Sequence, residues 1–232
     1  MTAKKVDTKK TDERIHSVEE VLSKTEAFIE KNQKIILIVV GILIIIVLGF
    51  FGFRKYYLEP QEKEAQSQMF MAEMYFEQDS LQLALNGDGN YLGFLDIIDQ
   101  YGLTKSANLA CYYAGISYLR LADFDQAIVY LKKFDGDDEV AAPMATGAIG
   151  DVYMELDEVD KAIGYYLDAA DQSNNELTAP MFLMKAGLAY EIQGNYSRAL
   201  DTYEQLKKDY PRSFEGTQID KNISYARGKA GE

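Results

Sequence analysis

The apolar positions divide the chain into three stretches. Residues 1–34 set isolated apolar positions in a charged background, residues 35–53 are apolar without interruption, and residues 54–232 show helical-period apolar faces separated by short breaks. The middle stretch, IILIVVGILIIIVLGFFGF, holds sixteen Ile, Leu, Val or Phe, three Gly and no charge. As a helix it extends roughly 28 Å, close to the hydrocarbon thickness of a bilayer. Each apolar residue favours insertion by up to about 0.6 kcal/mol, and no ionised group opposes them. A soluble core helix would need some polar face. The pattern predicts a transmembrane helix over 35–53.

In the tail, residues 1–10 are polar and Lys-rich, which predicts disorder. A helical pattern starts near Asp12. Ile15, Val18, Leu22 and Ile29 fall on a heptad-like seam with Thr25 inside it, and Ser17-x-x-Glu20 suits a capping box. Two readings stay open: a helix lying on or leading into the bilayer, or one docking on a partner or a second copy. The apolar run is followed by no small-x-small cleavage site but by Phe53-Arg54-Lys55-Tyr56-Tyr57, aromatic rings for the headgroup region and basic residues to stop there. An uncleaved signal anchor is expected. The near flanks tie, Lys24, Lys31 and Lys34 against Arg54, Lys55 and Lys63. The short tail carries eight Lys/Arg in all, and a long domain translocates largely regardless of charge, so an N-terminus in the cytoplasm is favoured. The span's glycines, at 41, 49 and 52, form no GxxxG pair.

Beyond the span, 56–85 reads as one long helix, with Pro60 tolerated in its first turn and Met69, Phe70, Ala72, Met74, Tyr75 and Phe76 on an apolar side. Asn86-Gly87-Asp88-Gly89-Asn90 breaks it. That run lacks both the ligand spacing of an EF-hand and the Gly-Lys-Ser/Thr of a P-loop, so it reads as a helix-to-helix turn. A return helix is expected over 91–101, with Tyr91, Phe94, Leu95, Ile98 and Tyr101 inward.

The most informative pattern follows. Gly115, Gly150 and Gly187 each precede a tyrosine by three residues (Tyr118, Tyr153, Tyr190) and an alanine by twelve (Ala127, Ala162, Ala199). A period of 35 and then 37 residues signals a solenoid. Small residues on both helices of a hairpin let the axes approach, and the tyrosine covers the junction. The expected helix pairs are 106–121 with 125–134, 141–156 with 159–170, and 178–193 with 196–210.

On these residues the chain resembles the tetratricopeptide repeat family, with its W-x2-L-G-x2-Y…A-x3-F…P signature. The third repeat supplies Leu183, Ala186, Gly187, Tyr190, Ala199, Tyr203 and Pro211. The second supplies Ile149, Gly150, Tyr153, Ala162 and Tyr166, with Asn174 in place of proline. The first supplies Cys111, Ala114, Gly115, Tyr118, Ala127 and Leu131, with Glu139 in place of proline. Cys111 is therefore expected in the core. Ala72-x-x-Tyr75 with the 91–101 helix suggests a degenerate repeat ahead of these, and 214–229 a polar closing helix. The implied fold is all-α: a single N-terminal transmembrane helix followed by an α-solenoid of helix hairpins. The divisions are a cytoplasmic tail with a short amphipathic helix (1–34), the span (35–53), a degenerate repeat (54–105), three repeats (106–213) and a capping helix (214–232).

The resemblance also implies a concave groove lined by first-helix side chains. These map to Leu109, Tyr112, Ile116 and Arg120, then Met144, Asp151, Met154 and Glu155, then Met181, Met184, Leu188 and Glu191. Basic residues that grip a carboxylate in some family members are missing apart from Arg120. Met and Leu suit an adaptable groove for extended or unfolded polypeptide, unless they pack against neighbouring helices.

Charge and composition narrow the chemistry. Residues 54–232 carry sixteen Lys/Arg and thirty Asp/Glu, which argues against nucleic acid and against a polybasic lipid-binding surface. The only histidine, His16, lies in the tail, and Cys111 is the only cysteine, so a His-based catalytic or zinc site is not expected in the C-terminal part. The acidic run 135–139 reads as a solvated loop rather than a metal site. No enzyme, cofactor or small-molecule substrate is expected. The architecture further resembles the membrane-anchored ancillary subunit of the bacterial Sec translocon. This implies an inner-membrane protein, N-terminus cytoplasmic and C-terminal domain periplasmic, whose partners are translocon subunits, exported or unfolded polypeptides and periplasmic chaperones. A scaffold in outer-membrane protein insertion or cytochrome maturation is the alternative.

Overall fold

The computed structural model describes the backbone of residues 8–172 and 175–231, with side chains from Lys31 onward. The chain forms two units, one ending at Tyr57 and one starting at Leu58. All described secondary structure is helical.

The first unit is one helix, α1 (Thr8–Phe53), which merges the tail with the apolar stretch. Ser17 lies inside this helix, so Ser17 and Glu20 do not mark a helix start. The seam side chains Ile15, Val18, Leu22 and Ile29, and residues 1–7, lie outside the described residues. Over 35–53 no side chain is buried: Ile35, Ile45, Leu48 and Phe51 are 61–71% exposed. This is the one described helix long and apolar enough to cross a membrane, and none of its apolar window is buried. A π-helical turn, Arg54–Leu58, follows it.

The second unit opens with α2 (Glu59–Glu77), α3 (Leu81–Asn86) and α4 (Phe94–Gln100). Three hairpins come next: α5 (Lys105–Arg120) with α6 (Phe124–Lys133), α7 (Ala141–Glu155) with α8 (Val159–Asp171), and α9 (Thr178–Ile192) with α10 (Tyr196–Asp209). The chain closes with α11 (Phe214–Gln218) and α12 (Asp220–Ala230). The six hairpin helices start and end within one residue of the periodicity-based expectation.

Three expectations are corrected. The long helix over 56–85 is broken at Gln78–Ser80, where Asp79 adopts φ +59°. The return helix starts at Phe94, because Asp88 folds residues 88–91 into a turn by accepting from the backbone N–H of Asn90 (2.9 Å) and Tyr91 (2.8 Å). Tyr91 is thus outside the helix and exposed, as is Phe70 on α2. The closing segment is two helices around the buried Ile219.

The repeat spacing has a direct physical cause. A Cβ on Gly115, Gly150 or Gly187 would meet Leu131, Tyr166 or Tyr203 at 2.6, 2.7 and 2.1 Å, each sixteen residues further on. The glycine thus admits a large side chain from the second helix, while Ala127, Ala162 and Ala199 are fully buried in the same junction. Each first helix then ends in a left-handed residue seven positions after the glycine: Ala122 and Asp157 at φ +59°, Gly194 at +74°. In each turn the repeat tyrosine's carbonyl accepts from the N–H five residues on, at 2.9 Å from Asp123 to Tyr118, Glu158 to Tyr153 and Asn195 to Tyr190. This is a Schellman cap. Asp79 follows Ala72 by seven residues, and Ser80 N–H reaches Tyr75 O at 2.8 Å in the same way. Ala84, twelve residues after Ala72, is fully buried. The hairpin that shares this geometry ahead of the full repeats is therefore α2 with α3, not α2 with the later helix.

Candidate protein-binding groove

The register places Leu109, Tyr112, Ile116 and Arg120 on α5, Met144, Asp151, Met154 and Glu155 on α7, and Met181, Met184, Leu188 and Glu191 on α9. Seven of these twelve are half-buried apolar side chains. Leu109 packs on the cluster containing Phe94 and Cys111, and Tyr112 and Ile116 on the cluster of Ala148 and Val152. Met144, Met154, Met181 and Met184 all lean on the cluster built from Phe182, Leu183 and Tyr203. Much of the methionine surface is therefore spent between repeats. Gly147 shows how tight this junction is, because a Cβ there would lie 1.8 Å from the Phe182 ring of the next repeat.

Three of the four charged positions are also partnered. Asp151 accepts from Lys185 Nζ at 2.7 and 2.8 Å and from the Tyr166 hydroxyl at 2.7 Å. Burial and this bond to Asp151 push the Tyr166 phenol well above the ordinary tyrosine range. Glu191 accepts from the Tyr203 hydroxyl at 2.9 Å, and burial with that bond raises Tyr203 likewise. Arg120 pairs with Asp79 at 2.6 Å and lies 5.3 Å over the Phe76 ring. Glu155 and Leu188 remain exposed.

Four of the twelve meet in one place. Arg120, Asp151, Met154 and Glu155 line an open cleft of about 500 Å³ with Leu119, Ala122 and Phe124, where the first and second repeats join. The other eight do not line it. Lys185, which binds Asp151, is a contact that the sequence pattern does not announce, and Glu73, Glu77 and Ile192 continue the groove register. Glu73 and Glu77 lie one and five residues after Ala72, and Ile192 five after Gly187, so extending the register to them would have found all three. Glu73 is held above the ordinary carboxylate range by burial and by the like charge of Glu77. Lys185 carries no register signal, since its role arises from Asp151, 34 residues away.

Other candidate chemistry resolves into structure. Cys111 is buried, and burial raises its thiol. Within 135–139, Asp138 accepts from the N–H of Val140 and Ala141 at 2.8 Å and so caps the start of α7, which holds its carboxyl low. No three His, Cys, Asp or Glu side chains among the described residues converge as a metal set. Asn174 lies outside the described residues.

Models of the tetratricopeptide repeat match residues 112–176 and 182–213. Several solved structures share the fold. The nearly identical TPR-like repeats of a Podosopora anserina kinesin light chain superpose with a TM-score of 0.57 at 12% identity, over 73% of this chain and 88% of that one. MamA protein superposes at 0.54 with 19% identity, over 72% and 82%. BtubC (BKLC) from P. vanneervenii gives 0.52 with 12% identity, over 75% and 85%. No curated protein sequence matches significantly. The hairpins within residues 112–176 and 182–213 are tetratricopeptide repeats, which implies a protein–protein interaction module.

Proposed function

We propose that this protein is a non-enzymatic, membrane-anchored adaptor that holds a tetratricopeptide domain at the outer face of a bacterial inner membrane, with its N-terminus in the cytoplasm. It acts in a chaperone-like way beside the Sec translocon, on translocon subunits, exported polypeptides and periplasmic chaperones. One observation carries the reading: an uninterrupted apolar helix over 35–53, none of it buried, precedes an interaction module, and the module's first buried residue, Ala65, follows Phe53 by only twelve positions. A short tether raises the module's effective concentration near membrane-bound partners. Cross-linking from membranes tests the assignment: translocon subunits are expected among the products, and other envelope machinery in their place overturns it. A reporter enzyme fused to the C-terminus, active only outside the cytoplasm, checks orientation.

The groove binds through its exposed positions, Leu188, Glu155 and the Arg120 cleft, rather than through the packed methionines. Leu188→Asp is expected to reduce suppression of client aggregation with little change in stability. Met184→Asp is expected to reduce stability, since Met184 leans on the buried Phe182–Tyr203 cluster. That consumption of methionine surface also supports a second reading, a scaffold that docks folded partners in another envelope assembly. A protein that binds partner subunits but no unfolded chain fits this alternative.

A further inference from the structure

At or just before the starts of α5, α7, α9 and α11 stands one large apolar side chain each, and these stay in water. Leu103, Val140, Leu177 and Phe214 recur at intervals of 37 residues and are 70%, 42%, 62% and 75% exposed. Hydrogen bonds between neighbouring repeats bring their loops side by side. Asn108 beyond Leu103 exchanges two bonds with Asp135, at 2.7 and 2.8 Å, and Asn175 donates to Glu139 O at 2.7 Å, joining the loop of Val140 to that of Leu177. The helix opened by Phe214 packs on α9, which Leu177 caps. The four side chains thus form a row along one edge of the repeats, apart from the concave groove. Glu62 on α2 accepts from Lys105 N–H at 2.6 Å and from the Ser106 hydroxyl at 2.7 Å, so the start of α2 lies at this same edge. It is where the chain enters the unit.

The charge around the row identifies what covers it. Asp135, Asp137 and Glu139 precede Val140, Glu176 precedes Leu177 and Glu215 follows Phe214, against Lys105, Lys132, Lys133 and Arg212. No ion pair among the described residues neutralises these carboxylates. Such an edge repels an anionic lipid surface and attracts a polypeptide with Lys or Arg beside its apolar side chains. We propose that Leu103, Val140, Leu177 and Phe214 form a docking edge for an amphipathic, basic polypeptide segment of a partner close to the membrane. The edge is separate from the groove, so it stands or falls independently of client binding there.

The test uses the full chain in phosphatidylcholine nanodiscs and a fluorescent amphipathic helical peptide of Leu and Lys, followed by anisotropy. The peptide is expected to bind, and its Leu/Glu counterpart to fail. Replacing two exposed side chains together, Leu177→Ser with Phe214→Ser, is expected to weaken binding at least tenfold without changing the helical circular dichroism or the net charge. Leu188→Ser in the groove is expected to stay within twofold of the parent. No binding to the parent, an unchanged affinity in the double variant, or loss in Leu188→Ser instead overturns the proposal. So does a blue-shifted environment-sensitive dye at Leu177→Cys on nanodiscs without peptide, since the bilayer is then the occupant.

Discussion

The first hairpin in chain order (α2 with α3) and that of the third full repeat (α9 with α10) share one turn geometry but differ in what fills the junction. Both end the first helix in a Schellman cap, with Asp79 or Gly194 in the left-handed region. In the third, Gly187 admits the fully buried Tyr203, and α10 runs fourteen residues. In the first, Ala72 stands at the glycine's place, Asp88 stands where Tyr203 would, and α3 stops after six residues at Gly87, φ +73°. The Tyr75 hydroxyl donates to Asp88 at 3.0 Å, so the position serves a turn instead of a core. The difference teaches that the cap sets where a repeat bends, while the large side chain inserted against the small residue decides whether the second helix is held. α4 compensates, bringing Phe94 and Ile97, both fully buried, against α5.

The largest effect expected from breaking this comparison is at Gly187. Gly187→Ala forces a methyl into the Tyr203 ring and is expected to cost about 1–3 kcal/mol in urea unfolding, since overpacking of a close-packed core is not absorbed. Ala72→Gly, the opposite change at the matching place, is expected to cost about 1 kcal/mol from helix propensity alone. Tyr203→Phe removes the bond to Glu191 and is expected to cost about 1 kcal/mol. It also changes the pH response. Because the folded phenol is raised above the unfolded value of about 10, its contribution is complete below pH ~10 and lost as pH rises towards the folded value. Thermal unfolding is therefore expected to fall steeply above pH ~10, and less steeply in Tyr203→Phe.

The turns offer a smaller and opposite effect. Ala122 holds φ +59° where the third repeat has Gly194. Ala122→Gly relieves that conformation and is expected to raise stability by about 0.5–1 kcal/mol, whereas Gly194→Ala lowers it by a similar amount. The smallest effect belongs to the ion pair between the α2–α3 turn and α5. Arg120 and Asp79 are 42% and 70% exposed along their side chains, so Arg120→Met is expected to cost about 0.5 kcal/mol or less, by the same unfolding measurement.

The three full repeats were legible because their signals are local. Gly115, Gly150 and Gly187, with an alanine twelve residues on, mark close approach within one hairpin, and 3.6-residue periodicity places the helices around it. The first hairpin was only half legible. Ala72-x-x-Tyr75 was visible, yet the break at Asp79 falls inside a helix-favouring run, and nothing in the sequence pattern marks an aspartate as left-handed. The twelve groove positions were placed on the correct helices by register, but register does not say which are free. Asp151 is occupied by Lys185 from 34 residues later, and Arg120 by Asp79 from 41 residues earlier.

By itself the sequence determined the apolar stretch over 35–53, the all-helical class and the repeat register, because each follows from composition and spacing within a few turns of chain. Only the tertiary structure decided that the methionines of α7 and α9 are largely consumed in packing, that α3 rather than α4 closes the first hairpin, and that four apolar side chains 37 residues apart share an edge. The physical reason is one of range. Helix formation and capping are settled by neighbours up to five residues apart, whereas the exposure and pairing of a side chain are settled by whatever the fold brings against it.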